Sequence, residues 1–165
     1  MTEAETRNVK RRKALLRHVN NVRDNCVKLG ELLIENGEEE LGHQVIANGY
    51  CHDQSKFHGI EWESLWGMED SLKEENEERF KAAHEQHVKT NKHHPEAWPD
   101  GIHSMDRLHI AEMVCDWAAR SQEFGTDLRE YIKSRATKRF DFTFQSKVYK
   151  EIKYFVDLLL DKAFA

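Results

Sequence analysis

The amino-acid sequence predicts an all-α protein, folded as a single-domain bundle of about five to seven helices. Only 8 of its 165 residues are glycine and only 2 are proline, so long stretches lack the residues that interrupt helices. Apolar residues recur at spacings of three, four and seven, as they do along one face of a helix. No linker or composition change divides the chain, and we expect one domain over residues 1–165.

The first half of the chain carries the pattern of a long helix followed by shorter ones. Leu15, Val22 and Leu29 share one face of a helix expected over residues 5–35, which Gly37 ends. Two further helices are expected over residues 38–51 and 71–90, with a short helical piece at 62–66 between them.

The second half begins with an interruption. Pro95 and Pro99 both lie in residues 91–103, which we therefore expect to form a loop. Ser104 is a suitable N-cap for a helix that runs to about residue 124. Two last helices are expected over residues 127–134 and 143–164. The apolar stripe of the last one could pack within the chain or against a second copy in a homodimer.

Charge and hydropathy exclude several classes of partner. With 25 basic and 30 acidic residues the net charge is −5, so a nucleic-acid polymer is not the expected partner. Two basic segments, residues 10–13 and 133–139, are expected to be solvated helix surface. No apolar run approaches the roughly 20 residues that cross a bilayer, so no membrane partner is expected.

The cysteines and the N-terminus predict a cytoplasmic protein. Cys26, Cys51 and Cys115 are an odd, widely spaced set without a C-x-x-C pair, which indicates reduced thiols and no disulfide framework. The first residues lack the basic and then apolar pattern of a signal peptide.

The histidines are the most informative feature, since nine of the ten fall within residues 43–109. The remaining one, His18, shares the apolar stripe of the first helix and is expected to point into the core. Asp116 lies in a mostly apolar helix, where a carboxylate needs a cation. His52 and Asp53 are adjacent at a predicted helix end, where both could reach one metal ion. A hydrogen-bonded core histidine and a capping aspartate are the alternative interpretation.

Two more pairs of histidines follow. His84 and His87 are three residues apart on one helix, and His87 lies on its apolar side, which favours His87 as a ligand. His93 and His94 begin the loop that Pro95 stiffens, and a rigid loop suits a metal ligand. The residue pattern leaves open which of these last two would bind.

Taken in order, these residues form the pattern H…HD…D with further histidines before the final aspartate. At this point the chain resembles the HD-domain superfamily of metal-dependent phosphohydrolases, which are all-helical. Its segments HD-x-SKF from His52, N-x-HHPE-x-W from Asn91 and EM-x-CDW from Glu112 are closest to an uncharacterised HD-like family of bacteria and their phages. The resemblance covers residues 17–119, although the gap between His87 and His93 is shorter than in larger two-metal HD proteins.

The resemblance implies two divalent transition-metal ions, which could be manganese, iron, cobalt or zinc. Asp53 would bridge the two ions. The first ion would be held by His18, His52, Asp53 and Asp116, and the second by Asp53, His87 and one or both of His93 and His94.

The implied activity is a phosphohydrolase that acts on a small phosphorylated substrate, with a nucleotide favoured, through a metal-activated water. Asp53 and Lys56 would be catalytic, and Lys56, Arg120 and Trp98 would contact the substrate. Each contact has a structural alternative: an exposed lysine, a helix ion pair and a core tryptophan.

Two other functions fit the same sequence. Some HD-like proteins use a di-iron centre to activate oxygen and cleave a C–C or C–P bond, and the His/Asp ligands suit iron equally well. Alternatively the chain is a non-enzymatic helical interaction module, in which any metal is structural.

Overall fold

The computed structural model describes residues 2–67 and 77–162, and within these ranges it contains seven helices and no strand. The predicted all-α, single-domain class is therefore confirmed. The helices are α1 (Glu3–Glu35), α2 (Glu39–Cys51), α3 (Gly59–Glu61, continued by the π-helical Trp62–Gly67), α4 (Glu77–Thr90), α5 (Arg107–Phe124), α6 (Leu128–Tyr131, continued by Ile132–Ala136 and Thr137–Arg139) and α7 (Lys147–Asp157, continued by Leu158–Lys162).

Helix starts differ from the prediction where capping side chains decide them. α1 begins two residues early because Thr2 and Glu5 form a reciprocal capping box. The predicted N-cap Ser104 was wrong, since it ends a short 3₁₀ turn. Asp106 caps α5 instead, and its carboxylate accepts a hydrogen bond from the backbone N–H of His109 at 2.9 Å.

The remaining boundaries follow the prediction more loosely. α4 is described from Glu77, so residues 71–76 of the predicted helix lie outside the described residues, as do residues 163 and 164 of the last helix. α6 continues to Arg139, beyond the predicted end at residue 134. The expected loop is an irregular connection with two 3₁₀ turns, Pro95–Ala97 and Gly101–Ser104.

The core forms around α5, which packs against α1, α2 and α7. Its buried face carries Ile110, Val114 and Ala118. The apolar stripe of α7, which includes Ile152 and Phe155, is buried in the same cluster and so packs within the chain. The core thereby holds α1, α2 and α5, whereas α4, which carries His87, packs against α3 with its π-helical continuation and against the Pro95–Ala97 turn.

Glycines bring α1 and α2 unusually close together. A Cβ atom added to Gly42 would lie 2.5 Å from the carbonyl oxygen of Gly30. Only glycine allows the two backbones to approach this closely. Since α2 ends at Cys51, this contact fixes the position of His52 relative to α1 and its residue His18.

Two further observations concern membrane-spanning helices and the state of the cysteines. Among the described residues, no helix combines the length and apolarity that crossing a bilayer requires. All three cysteines carry free thiols, with Cys26 and Cys115 buried and Cys51 exposed.

Candidate metal centre

Asp53 lies at the centre of the histidine cluster, at the residue where the chain leaves α2. Its backbone is left-handed, with φ 56° and ψ 22°, and the residue is only 2% exposed. One carboxylate oxygen, Oδ1, lies 3.3 Å from His87 Nε2 and 3.4 Å from His93 Nε2. The other, Oδ2, lies 3.4 Å from His52 Nε2 and 3.9 Å from His18 Nε2. The two oxygens thus point to two different sets of imidazoles.

The first set comes from α1, the end of α2 and α5. His18, His52 and Asp116 each offer one ligand atom, and these atoms all lie within 4.8 Å of one another. His18 Nε2 is 3.1 Å from Asp116 Oδ1, and the Asp116 side chain is 14% exposed. This set could hold a metal ion, with Asp53 Oδ2 beside it.

The second set comes from α4 and the loop that follows it. Ligand atoms of Asp53, His87, His93 and His94 also lie within 4.8 Å of one another. His94 Nε2 is 3.0 Å from His87 Nε2, so both loop histidines reach this set. His84, the less favoured member of its pair, is exposed.

Buried glutamates orient the histidines from behind. Glu112 Oε1 lies 2.9 Å from His52 Nδ1 and 3.1 Å from His93 Nδ1. An imidazole that donates its Nδ1–H to a carboxylate keeps a lone pair on Nε2, the atom that would face a metal. Glu112 therefore sets the ring orientation of one histidine from each set.

The same arrangement recurs at the other two positions. Glu123 Oε1 is 2.9 Å from His18 Nδ1, and Glu61 Oε2 is 2.8 Å from His87 Nδ1. Carboxylate–histidine pairs of this kind are usual behind metal ligands. A histidine cluster that served only core packing would not need a carboxylate behind each of these four rings.

Several buried atoms in the centre have no hydrogen-bond partner among the described residues. They are the Nε2 atoms of His18, His52 and His93 and the Oδ1 atom of Asp53. Burying polar atoms without partners is costly, and a cation between them would satisfy all four. The residues present therefore fit a metal ion of the borderline type that imidazole and carboxylate ligands bind.

The charge balance of the cluster is also unusual. Burial alone would lower the pKa of His52, but the Asp53 carboxylate raises it to about 10. Burial would raise the pKa of Glu112, yet hydrogen bonds from His52 and His93 lower it to about 2. Burial, followed by the charge of His93, lowers the pKa of His94 to about 3. Glu112 is thus ionised at neutral pH and His94 is neutral, whereas His52 without a metal ion holds a second proton, which a cation at its Nε2 would displace.

The other predicted site residues have different surroundings. Lys56 is buried, and its Nζ lies 2.5 Å from Asp53 Oδ2, so it belongs to the cluster. Arg120 lines the adjoining cavity and also pairs with Glu123 at 3.2 Å. Trp98 does not line this cavity, and its predicted contact with the substrate stays a prediction. The indole N–H of Trp98 instead donates to the Lys92 carbonyl at 2.8 Å.

A cavity of about 840 Å³ opens onto the cluster. It is lined by Asp116 and by three histidines of the cluster, His87, His93 and His94, together with cationic and aromatic side chains. Phe80 and Phe124 are 45% and 73% exposed. The cationic lining residues are Arg11, Lys56, Arg120, Arg135 and Arg139, and the aromatic ones are Phe80, Trp117, Phe124, Tyr131 and Phe140.

The glutamates behind the histidines and most of the cavity arginines were not predicted from the sequence. Glu112 and Glu123 share the helix face of Asp116, at spacings of four and seven, so a stripe of carboxylates on an apolar helix was the available signal. Glu61 lies in a helical piece too short to show a pattern. The approach of Arg11 to the cavity depends on tertiary packing and had no sequence signal.

Comparison with known proteins gives a family and no activity. A model of a family described as a family of unknown function, DUF5662, matches residues 7–161. No curated protein and no solved structure matches the chain.

Proposed function

Since the chain belongs to the DUF5662 family, whose function is unknown, we propose a function from the site itself. The protein is a metal-dependent phosphohydrolase that holds two divalent transition-metal ions and acts on a small phosphorylated substrate, with a nucleotide favoured. The observation that carries the proposal is the position of Asp53, whose two carboxylate oxygens each point to a separate set of ligand atoms.

The chemistry of phosphate ester hydrolysis suits such a site. When bound, a pair of divalent ions lowers the pKa of a water molecule and neutralises phosphate oxygens. Lys56 places a buried ammonium group beside Asp53, where it would add positive charge next to the reacting phosphoryl group. Arg120 lies in the wall of the same cavity and can form paired hydrogen bonds with phosphate oxygens.

The cavity supports a substrate with an organic group attached to the phosphate. Its volume of about 840 Å³ falls within the range typical of small-molecule sites. Phe80 and Phe124 expose large parts of their rings although they line the cavity. A planar base could stack against such rings, which is why a nucleotide is favoured.

The same residues carry the resemblance to HD-domain phosphohydrolases. The order His18, His52–Asp53, Asp116 is the order of that family's metal ligands, and the additional histidines fall between the last two positions. We therefore also propose that the chain is related to the HD-domain phosphohydrolases. DUF5662 is described only as a family of unknown function, which says nothing of this relationship.

The test is elemental analysis of the full chain, purified without added metal or chelator, beside an Asp53→Asn variant. We expect about two equivalents of a transition metal in the unaltered protein and a loss of metal in the variant. The asparagine keeps the size of the side chain and tolerates the left-handed backbone, so the fold should persist. His43→Ala, at an exposed histidine on α2, is the matched control and should retain both metal and activity.

Activity is then measured on nucleoside monophosphates and p-nitrophenyl phosphate with manganese, cobalt, iron or zinc added. Hydrolysis that disappears in Asp53→Asn and persists in His43→Ala supports the proposal. Iron with oxygen consumption and no phosphate release would contradict it in favour of the oxygenase. A folded protein that takes up no metal would contradict the proposal and favour the non-enzymatic interaction module.

A further inference from the structure

The two basic segments of the sequence meet at one cavity. Arg11 comes from residues 10–13 near the start of the chain, and Arg135 and Arg139 come from residues 133–139 near its end. All three line the cavity that opens onto the metal centre. The expectation that both segments are only solvated surface is therefore incomplete.

Two of these arginines lie on α6, beside a group of packed aromatic side chains. Tyr131, Arg135 and Arg139 recur every four residues and line the cavity together. The Tyr131 ring packs edge-on against Trp117 at 5.5 Å, and Trp117 stacks on Phe140 at 5.8 Å. The Arg139 guanidinium lies over the Phe140 ring at 4.8 Å. Tyr131 and Arg139 are thus both packed against aromatic side chains of this wall.

The acidic groups in the same wall already have partners. The Asp127 carboxylate accepts a hydrogen bond from the backbone N–H of Glu130 at 2.9 Å. The Glu130 carboxylate accepts one from Lys133 Nζ at 3.2 Å. Among residues 2–67 and 77–162, Arg139 forms an ion pair with Glu96 at 3.7 Å and also interacts with the Tyr131 side chain, and no carboxylate forms an ion pair with Arg135. At this end of the cavity the three lining arginines thus face two lining carboxylates, Asp127 and Glu130, and the carboxylate of Glu130 is also paired with Lys133.

The charge of these arginines is distinct from the charge at the metal centre. Lys56 belongs to the Asp53 cluster and Arg120 pairs with Glu123 behind His18, so both lie beside the ligands. Arg135 and Arg139 lie instead on α6, a helix that contributes no candidate ligand. When a reacting phosphoryl group occupies the metal centre, these arginines remain available to bind another anionic group.

We propose that Arg11, Arg135 and Arg139 form a second anion subsite, which binds a further phosphate of the substrate, several bonds from the one that reacts. The identity of the reacting phosphate rests on the function proposed above. A further phosphate occurs in a small nucleoside bisphosphate and also as the next phosphodiester of a short 5′-phosphorylated oligonucleotide. Arginine guanidinium groups suit both, since they bind phosphate oxygens in pairs.

The test compares the affinities of matched ligands for the manganese-loaded full chain by calorimetry at one ionic strength. The ligands are adenosine 5′-monophosphate and adenosine 3′,5′-bisphosphate. We expect the bisphosphate to bind about tenfold more tightly, since each well-made charge-assisted contact contributes about a factor of ten. In the double variant Arg135→Ala/Arg139→Ala this ratio should fall to about one.

Lys138→Ala is the matched control, because Lys138 is an exposed cation on the same helix that does not line the cavity. It should keep the ratio of about ten to one that is expected of the unaltered chain. A ratio that is unchanged in the double variant, or that falls equally in Lys138→Ala, would overturn the subsite.

Binding separates this inference from the proposed activity. If no ligand is hydrolysed but the ratio is present and lost as described, the subsite stands and the hydrolase proposal fails. Hydrolysis of the monophosphate without any preference for the bisphosphate overturns the subsite alone. A 5′-phosphorylated dinucleotide forms the second arm, and the ligand that loses more affinity in the double variant identifies the source of the second phosphate.

Discussion

At the scale of single residues, the glutamates behind the histidines matter as much as the ligands. Glu112 contacts both His52 and His93, and its other oxygen accepts a hydrogen bond from Asn48 at 2.8 Å. Three of its roughly four acceptor sites are thereby used. A group held in this way fixes two rings in the orientation in which their Nε2 atoms converge on Asp53.

Glu112→Gln is therefore expected to weaken metal binding by about 10- to 100-fold, as is usual when such outer partners are altered. The amide carries no charge, so its oxygen accepts from the two imidazoles more weakly, and its NH2 group would replace the oxygen that accepts from Asn48. Manganese or zinc affinity, measured by competition with a chromogenic chelator, checks this. Glu31→Gln, at an exposed position of α1, is the control. Equal affinity in the two variants would show that Glu112 does not orient the ligands.

A second residue-scale prediction concerns pH and lies away from the metal centre. Glu38 pairs with the Arg107 guanidinium and accepts a hydrogen bond from the Tyr154 hydroxyl at 2.6 Å. The hydrogen bond from Arg107 lowers the pKa of Glu38 below its ordinary value of 4.5. A lowered pKa means stabilisation that is complete above the unfolded value and is lost as pH falls through the folded value.

Glu38→Gln should therefore reduce the free energy of unfolding at pH 7 by about 0.5–1 kcal/mol, a modest figure because the pair is partly exposed. The difference between the two proteins should shrink as the pH is lowered below 4.5. Urea unfolding at several pH values measures it. Glu39→Gln, the exposed neighbour, should show no such trend, and a difference that grew in acid would refute the assignment.

At the scale of elements, the contact between α1 and α2 determines where two of the ligands lie. Gly30 and Gly42 allow backbone-to-backbone contact, and α2 then delivers His52 and Asp53 at its end. α1 delivers His18 from its middle. The spacing of the two helices is thus part of the geometry of the site.

Gly42→Ala tests this contact. Its new Cβ atom would lie 2.5 Å from the Gly30 carbonyl oxygen and 2.6 Å from Ile34 Cγ1, so the helices must separate. Overpacking of this kind costs about 1–3 kcal/mol, against a gain of up to about 1 kcal/mol in helix propensity. We expect a net loss in the free energy of unfolding, together with weaker metal binding.

Glu40→Ala, at an exposed position on the same helix, separates propensity from packing and should be neutral or slightly stabilising. Thermal unfolding with and without metal compares the two variants. A Gly42→Ala protein as stable as the unaltered chain would mean that the helices tolerate a wider spacing.

The elements also show how far the sequence alone could go. The long helices were predictable because apolar periodicity over 14 or more residues is hard to produce otherwise, and α1 and α5 are of that kind. The candidate ligands were predictable because histidines and an aspartate on apolar faces demand an explanation. The start of α5 was not, because Asp106 and Ser104 are both good caps and only the turn before them decides. Glu61 and the cavity arginines depend on tertiary approach, which no local pattern reveals.

At the scale of the whole molecule, the metal centre joins segments that are distant in the sequence. His18, Asp53, His93 and Asp116 come from α1, the end of α2, the loop after α4, and α5. The folded chain assembles this constellation, and an unfolded chain cannot hold it. An ion that binds only the folded state stabilises it by mass action.

Loading the protein with metal should therefore raise its melting temperature. At a free ion concentration about 1,000 times the dissociation constant the gain is about 4 kcal/mol, which corresponds to about 8 °C or more for a chain of this size. Differential scanning calorimetry of the loaded and chelator-treated protein measures it. Asp53→Asn should show little of the shift, and an equal shift in that variant would place the ion elsewhere.

The left-handed backbone of Asp53 limits which residues can replace it in related sequences. At φ 56° glycine, asparagine and aspartate are the residues that adopt the left-handed backbone with little strain. Glutamate would keep the charge but add about 1–2 kcal/mol of backbone strain. Aspartate codons reach asparagine or glycine by one base change, and both keep the turn while removing the carboxylate. Relatives that have abandoned the metal should therefore carry asparagine or glycine at this position, and a survey of family sequences could sort metal-binding members from degenerate ones by that single letter.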